Sequence, residues 1–288
     1  MNQNNELLLE KITTHLASYG SVLVAFSGGV DSSLLAVIAR RTPGLKMLAV
    51  LADSPSLPRS ERGHAIKFAQ DYSIPLHIQA TTEFNNPDFI SNPHNRCYYC
   101  KRDVFTHLTD LAKFEGLRYV LDGQNADDLN DYRPGSIAAR ELGVRSPFLE
   151  LGVTKKQIRE LSKELGLPTA KKPAMACLSS RIPFGYTITL EKLKMIEEAE
   201  AFLHSLGIDV IRVRHHEVST GPLARLEVGS SELLKLCADP SLFGKISEKM
   251  VQIGYTHVCL DMEGYWMGSL HESFERHFKK KKTGKATV

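Results

Sequence analysis

An apolar run, Val22-Leu23-Val24-Ala25-Phe26, ends in Ser27-Gly28-Gly29-Val30-Asp31-Ser32-Ser33, and a second apolar run, Leu34-Leu35-Ala36-Val37-Ile38-Ala39, follows at once. The first run reads as a strand buried on both faces, the second as a helix buried on most of its sides. Between them, Gly28 and Gly29 permit backbone angles and close approaches that a Cβ would resist. The start of the helix points unpaired N–H groups and the positive end of its dipole into this turn. Such a turn holds phosphate. It lacks the Gly-Lys-Ser/Thr of a Walker A loop and the third glycine of a dinucleotide fingerprint. A second reading stays open, an ordinary βα turn capped by Asp31 or Ser32.

The pattern continues as alternating strands and helices. Residues 5–19 predict an amphipathic helix, and Met47–Leu51 a second buried strand. A helix over 59–72, a strand Leu76–Ile78, a helix over 101–114 and a strand Tyr119–Leu121 follow. Thr154-Lys155-Lys156-Gln157 is a capping box that opens a helix, stopped by Gly166 and Pro168. This rhythm predicts an α/β fold with a doubly wound parallel sheet. Ligands in such sheets bind beyond the carboxyl ends of the strands. Ala52, Asp53 and Gly123 lie at that edge with the Ser27–Ser33 turn, and are candidate nucleotide contacts. After about residue 186 the pattern becomes α-β-β-α-β, a smaller α+β domain. The expected division is 1–186, 187–270, and a basic, disordered tail over 271–288.

The chain has 288 residues, 42% hydrophobic and 24% charged, enough for one large or two smaller cores. No stretch of about 18 apolar residues predicts a membrane span. The polar N-terminus does not read as a signal peptide, so a cytoplasmic location is expected. The five cysteines are then thiols, ligands or catalysts rather than disulfides. A net charge of +3 gives little reason to expect nucleic acid as a partner. A homo-oligomer is left open.

Chemistry-bearing residues gather in three further stretches. Arg96-Cys97-Tyr98-Tyr99-Cys100-Lys101 and Ala176-Cys177-Leu178-Ser179-Ser180-Arg181 supply three cysteines among small or cationic residues. Three thiolates can hold a [4Fe–4S] cluster and leave one iron open, with Arg96, Lys101 and Arg181 lowering the thiol pKa values; they can equally be three unconnected thiols. Cys237 and Cys259 read as core residues. The acidic run Asp122–Asp131, with Asp128 at its centre, offers hard oxygen ligands suited to Mg²⁺ or is a solvated loop. Arg133 after it could clamp a phosphate. In the smaller domain Arg212 and Arg214 share a strand face and, with Ser180, could bind a phosphate or carboxylate. Glu200 is either a metal or base residue or a solvated helix position. His215 and His216 are adjacent on a strand, so their rings point apart.

Ser-Gly-Gly-x-Asp-Ser at a strand end resembles the pyrophosphate loop (PP-loop) of ATP pyrophosphatases. That likeness implies that the backbone amides with Ser27, Ser32 and Ser33 hold pyrophosphate while Asp31 helps to place Mg²⁺. Together with Leu121–Gly135, Cys177–Gly185 and Arg212-Val213-Arg214, the loop makes nearly the whole chain, to about residue 265, similar to the LarE-type ATP-dependent sulfur transferases. The resemblance implies adenylation of a carboxylate of pyridinium-3,5-biscarboxylic acid mononucleotide, a nucleotide-like small molecule, followed by displacement of AMP by sulfur. It gives Cys177 the catalytic role, and Ser180, Arg181, Arg212 and Arg214 the substrate phosphate, with Glu200 beside them. One form of the family gives up the sulfur of its single cysteine. The presence of Cys97 and Cys100 instead resembles the three-cysteine form with a [4Fe–4S] cluster. The alternatives are a tRNA thiolase, which needs a basic RNA surface, an amide-forming ATP pyrophosphatase, which has no need of Cys177, and a nucleotide-binding module without catalysis.

Overall fold

The computed structural model describes residues 2–130, 134–173 and 176–266. Arg133 and the expected tail over 271–288 lie outside the described residues. The chain divides into two compact units, Met1–Cys177 and Leu178–Val288.

In the first unit, strands β1 (Ser21–Ala25), β2 (Lys46–Asp53), β3 (Leu76–Ala80) and β4 (Tyr119–Leu121) form a parallel sheet in the order β3-β2-β1-β4. Parallel neighbours require crossovers. Helix α2 (Val30–Arg41) joins β1 to β2, α3 (Arg59–Asp71) joins β2 to β3, and the short α4 (Pro87–Ile90) with the long α5 (Arg96–Phe114) lies between β3 and β4. β1 is central, with Val22 opposite Met47 on one side and Tyr119 on the other. Because successive side chains alternate, Val22 and Val24 enter one core with α1 (Gln3–Ser18), α2, α3 and α8 (Lys155–Glu164). Leu23 enters the other, packed by Val104, Phe105 and Leu108 of α5 and Ala139 of α6 (Pro134–Glu141). The short α7 (Pro147–Glu150) adds Phe148 to the first core. The doubly wound sheet is therefore present, and its strand order reverses between β1 and β4. That reversal opens a crevice at their carboxyl ends. The capping box of α8 is formed, with Thr154 and Gln157 exchanging bonds.

The second unit begins with a single 3₁₀ turn, Leu178–Arg181. Helix α9 (Leu190–Ser205), the hairpin β5 (Ile211–Val218) and β6 (Gly221–Val228), then α10 (Ser230–Ala238), α11 (Ser241–Ile253) and β7 (His257–Leu260) follow. β5 and β6 are antiparallel, β6 and β7 parallel. Ile211, Val213 and His215 point into a core with Leu203, Ile246, Met250 and Tyr255, which leaves Arg212, Arg214 and His216 on the opposite face. α10 is an addition to the α-β-β-α-β pattern. Two expectations are overturned here: Cys237 and Cys259 are exposed. Leu233 and Leu236 take the inward positions of α10, and Val258 and Leu260 those of β7, so each cysteine falls on the outer side. Among the described residues no helix is long and apolar enough to cross a membrane.

His215 is buried, its Nδ1 3.4 Å from the Tyr255 hydroxyl. Burial, with Lys192 adding to it, pushes its pKa from 6.5 down to about 4. The unfolded chain therefore binds a proton between these values that the folded chain excludes, and stability falls as pH drops through that window. His215→Gln should flatten the pH dependence of Tm between about pH 6.5 and 4. An unchanged slope would contradict this account of the core.

Candidate active site

The Ser27–Ser33 turn occupies the crevice at the carboxyl end of β1. Gly28 has φ +69°, and a Cβ there would lie 2.8 Å from the Cβ of Ala65 on α3. Only glycine meets both conditions. No side chain caps α2, whose N-cap is Gly29. Ser32 Oγ instead accepts from the Ser27 amide at 3.1 Å, lies 3.0 Å from Ser27 Oγ, and donates to Gly29 O at 3.3 Å. Asp31 turns to Asn125 and Lys155. The capped-turn reading thus loses both of its candidate caps. Ser33 is fully buried, and its Oγ has no hydrogen-bond partner. Uncapped helix amides beside an unsatisfied hydroxyl suit a phosphate.

The loop after β4 lies against this turn. A Cβ on Gly123 would sit 3.0 Å from both the Asp31 Cβ and the Ser32 amide nitrogen. The acidic residues of the loop divide into distinct tasks. Asp122 is buried; burial raises its pKa, against hydrogen bonds from Ser146 Oγ and Gln124 at 2.6 Å each. Asp127 accepts from the Lys155 amide at 2.7 Å and so holds the start of α8. Asp128 accepts from the Asn125 amide at 3.0 Å, while the Asn125 side chain donates to Asp31 at 3.3 Å. Asn125 thereby links the two carboxylates expected near Mg²⁺.

Two lysines were missed in the sequence. Lys155 ion-pairs with Asp31. Lys172 donates to the Gly28 carbonyl at 3.0 Å and pairs with Glu61 at 2.6 Å. Their only advance signal was position: one opens a helix at the sheet edge, the other follows a Gly-Leu-Pro stop. At the end of β2, beyond Ala52, burial works against the charge of Asp53. Arg59 and Arg62, at 2.6 and 2.8 Å, outweigh it and hold the carboxyl below its ordinary range.

Cys97 and Cys100 lie in the first turns of α5, with Cys97 exposed and Cys100 half-buried. The expected lowering of thiol pKa does not hold for Cys100. Burial pushes it up to about 12, Lys101 opposes this weakly, and Cys177, Glu83 and Cys97 each add to the rise. Cys97 and Cys177 are therefore within electrostatic reach of Cys100. Arg96 is itself buried and donates to Asn92 at 2.6 Å. Glu83, also missed in the sequence, is fully buried; it accepts from Ser54 and leaves Oε2 without a partner. Among the described residues, no three His, Cys, Asp or Glu side chains are grouped so as to hold a metal ion.

In the second unit, Glu200 is neither exposed nor solvated. It accepts from Nε and Nη2 of the fully buried Arg181 at 2.9 Å each, a two-point grip on one edge of the guanidinium, and accepts from the Val213 amide at 3.0 Å. Arg214 pairs with Glu227 at 2.7 Å and donates to the Ser180 carbonyl at 2.9 Å. In the β5–β6 register Arg212 faces Glu227 and Arg214 faces Arg225, so all four share one sheet face. Arg225 joins Glu227 at 3.1 Å and Asp261 at 2.6 Å. Arg212 stacks over the Tyr265 ring at 4.9 Å. Burial, then the nearby Arg181 charge, lowers its pKa. An anion at Arg212 would relieve both strains, whereas Arg181 is already matched to Glu200.

A doubly wound sheet with this loop at its switch point defines a PP-loop ATP-utilising α/β domain, and the asparagine synthase family model matches residues 3–132. A protein of Synechocystis is 42% identical over 266 residues, 92% of this chain and 97% of its own length. The pyridinium-3,5-bisthiocarboxylic acid mononucleotide synthase of Lactiplantibacillus plantarum is 33% identical over 259 residues, 88% of this chain and 90% of its own. One of the subunits of the glutamine-hydrolysing GMP synthase of Thermoplasma volcanium is 28% identical over 167 residues, 54% of each chain. The chain belongs to the family of the L. plantarum synthase, the LarE family.

Gly28→Ala should cost about 1–3 kcal/mol and abolish nucleotide binding, since it combines strain with a clash. Gly44→Ala shares a positive φ, +74°, but has nothing within 4 Å. It should cost about 1 kcal/mol and leave binding intact. Thermal melts and ATP titrations of the two variants check this; equal effects would place the loop's demand on backbone angle alone.

Proposed function

We propose that this chain is an ATP-dependent sulfur transferase that adenylates a carboxylate of pyridinium-3,5-biscarboxylic acid mononucleotide and replaces AMP by sulfur, a step in making a nickel-pincer cofactor. The observation that carries the reading is the uncapped Ser27–Ser33 turn at the switch point, in a chain 33% identical over 88% of its length to the L. plantarum synthase. The substrate carboxylate oxygen attacks the α-phosphorus of ATP, the bond to the bridging oxygen breaks, and pyrophosphate leaves. The α2 amides, Ser27 and Ser33 hold that leaving group, while Ala52, Asp53, Gly123 and Arg133 contact the rest of the nucleotide. Sulfur then attacks the acyl carbon and AMP departs, leaving a thiocarboxylate. Ser180, Arg212 and Arg214 receive the substrate phosphate, within a frame fixed by the Arg181–Glu200 pair.

Mg²⁺ takes few protein ligands and completes its shell from water and phosphate oxygens. Asp31, with Asp128 linked to it through Asn125, fits that demand without a three-residue cage. The thiols fit a [4Fe–4S] cluster in chemistry and neighbourhood. Cys97, Cys100 and Cys177 would hold such a cluster through their thiolates. Cys100 feels both Cys97 and Cys177, and when bound such a cluster would supply the sulfur for transfer. The second reading, in which Cys177 gives up its own sulfur, is favoured by the exposure of Cys177. An RNA thiolase is disfavoured by the net charge of +3. An amide-forming enzyme is disfavoured because the GMP synthase likeness covers 54% of the chain.

Protein purified without oxygen should contain iron and sulfide, lost in Cys97→Ala, Cys100→Ala and Cys177→Ala. Metal analysis and visible absorption check this. An iron-free protein that loses the mass of H₂S from Cys177 after one turnover would transfer the role to the sacrificial route. If neither the iron nor the mass loss is found, the sulfur-transfer reading fails.

A further inference from the structure

In the second unit Arg212 is held differently from the arginines around it. Arg214 and Arg225 both reach Glu227, and Arg225 also reaches Asp261. Arg181 is matched to Glu200. Arg212 has no carboxylate at ion-pair distance among the described residues. Its Nη1 donates to the Ile211 carbonyl at 2.6 Å, and its guanidinium carbon lies 4.9 Å from the centre of the Tyr265 ring. A turn after β7 brings that ring into place. The Asp261 amide donates to the Leu226 carbonyl at 2.8 Å, and its carboxylate accepts from Arg225 at 2.6 Å and from the Glu263 amide at 2.9 Å. Gly264 follows with φ +70°, and a Cβ there would lie 2.7 Å from the Val228 carbonyl oxygen, so glycine is required. The Tyr265 amide donates to that same carbonyl at 2.8 Å. Arg212 faces Glu227, the neighbour of Val228, in the β5–β6 register, so the turn delivers the ring to the Arg212 end of the sheet.

We propose that Tyr265 is a positioning residue for substrate binding, holding the Arg212 guanidinium ready for the phosphate of the mononucleotide. The inference rests on the reading of Arg212 as a ligand of that phosphate. A guanidinium withdrawn from water needs something to offset its charge. A carboxylate would do so by occupying the N–H fork, and its own negative charge would repel an incoming phosphate. The face of an aromatic ring attracts the cation through its quadrupole. It uses none of the five N–H donors of the fork and carries no net charge. The ring therefore limits where the guanidinium lies and leaves donors for an anion. Because the turn fixes the ring, Arg212 has less freedom to lose when phosphate binds. Arg181, already matched to Glu200, adds a positive charge that favours the anion at Arg212.

Calorimetric titration with pyridinium-3,5-biscarboxylic acid mononucleotide and, separately, with Mg²⁺–ATP tests the role. Tyr265→Leu should raise the Kd for the mononucleotide about tenfold, the effect of losing one desolvated cation–π contact, and leave that for ATP within about twofold. Tyr265→Phe, which keeps the ring, should restore the parent affinity. Gly264→Ala, which displaces the ring through the turn, should act like Tyr265→Leu. Met262→Ala, in the same turn but 91% exposed, should change neither Kd. In an Arg212→Gln protein, Tyr265→Leu should have no further effect, because the ring acts only through that guanidinium. If Tyr265→Leu does not fold, Tyr265→Met carries the same comparison. A Tyr265→Leu protein that binds the mononucleotide as the parent does, a Tyr265→Phe protein as weak as Tyr265→Leu, or a loss that persists undiminished beside Arg212→Gln overturns the proposal while the phosphate reading stands. A parent protein that does not bind the mononucleotide, or an Arg212→Gln protein that binds it as the parent does, overturns that reading, and the proposal with it.

Discussion

The N-terminus of α2 begins in the middle of the first unit, and no side chain caps it. The first amides of a helix have no partner within the helix, and here no side chain supplies one. The surrounding sequence follows from that constraint. Gly28 must take a left-handed backbone against Ala65, and Gly123 must leave room for the start of α2. Ser32 is tied to Ser27 and Asp31 to Lys155 and Asn125, so neither closes the helix end. By contrast α8, whose first residue reaches Asp31, carries a full capping box. The two helices differ in what their first turns are for.

Each unit holds ion pairs of its own. Glu150 shows how strongly: burial opposes its charge, but Arg145, Tyr19 and His15 hold the carboxyl at about 2. In the second unit Arg181 with Glu200 and Arg214 with Glu227 are pairs removed from water. Breaking such pairs is costly, and their attraction contributes less to net stability than to fixing one arrangement. They set the position of β5 against α9 and the Leu178–Arg181 turn. Arg212 is the exception on that face, desolvated and without a carboxylate at ion-pair distance among the described residues.

Much of this was legible in the sequence because it rests on periodicity. The four parallel strands, the hairpin, α9 and the capping box all followed from hydrophobic spacing and Gly or Pro stops. The loop at the switch point followed from Ser-Gly-Gly-x-Asp-Ser. What was not legible depends on distant residues. Lys155, Lys172, Asn125 and Glu83 acquire meaning only when the β1, β2 and β4 ends come together. The outward placement of Cys237 and Cys259 is decided by which neighbours win the core side. The thiol of Cys100 is dominated by burial, which flanking lysines and arginines in the sequence could not reveal. Glu200 looked like a surface residue because its partner lies 19 positions earlier in a turn with no regular pattern.

The central claim is that this protein turns a nucleotide carboxylate into an acyl adenylate at the Ser27–Ser33 turn. The most direct measurement is the exchange of labelled pyrophosphate into ATP, with and without pyridinium-3,5-biscarboxylic acid mononucleotide. The account predicts exchange that requires both that acid and Mg²⁺ and proceeds without any sulfur source. Absence of exchange with the acid present, or release of ADP and phosphate in place of AMP and pyrophosphate, would contradict it.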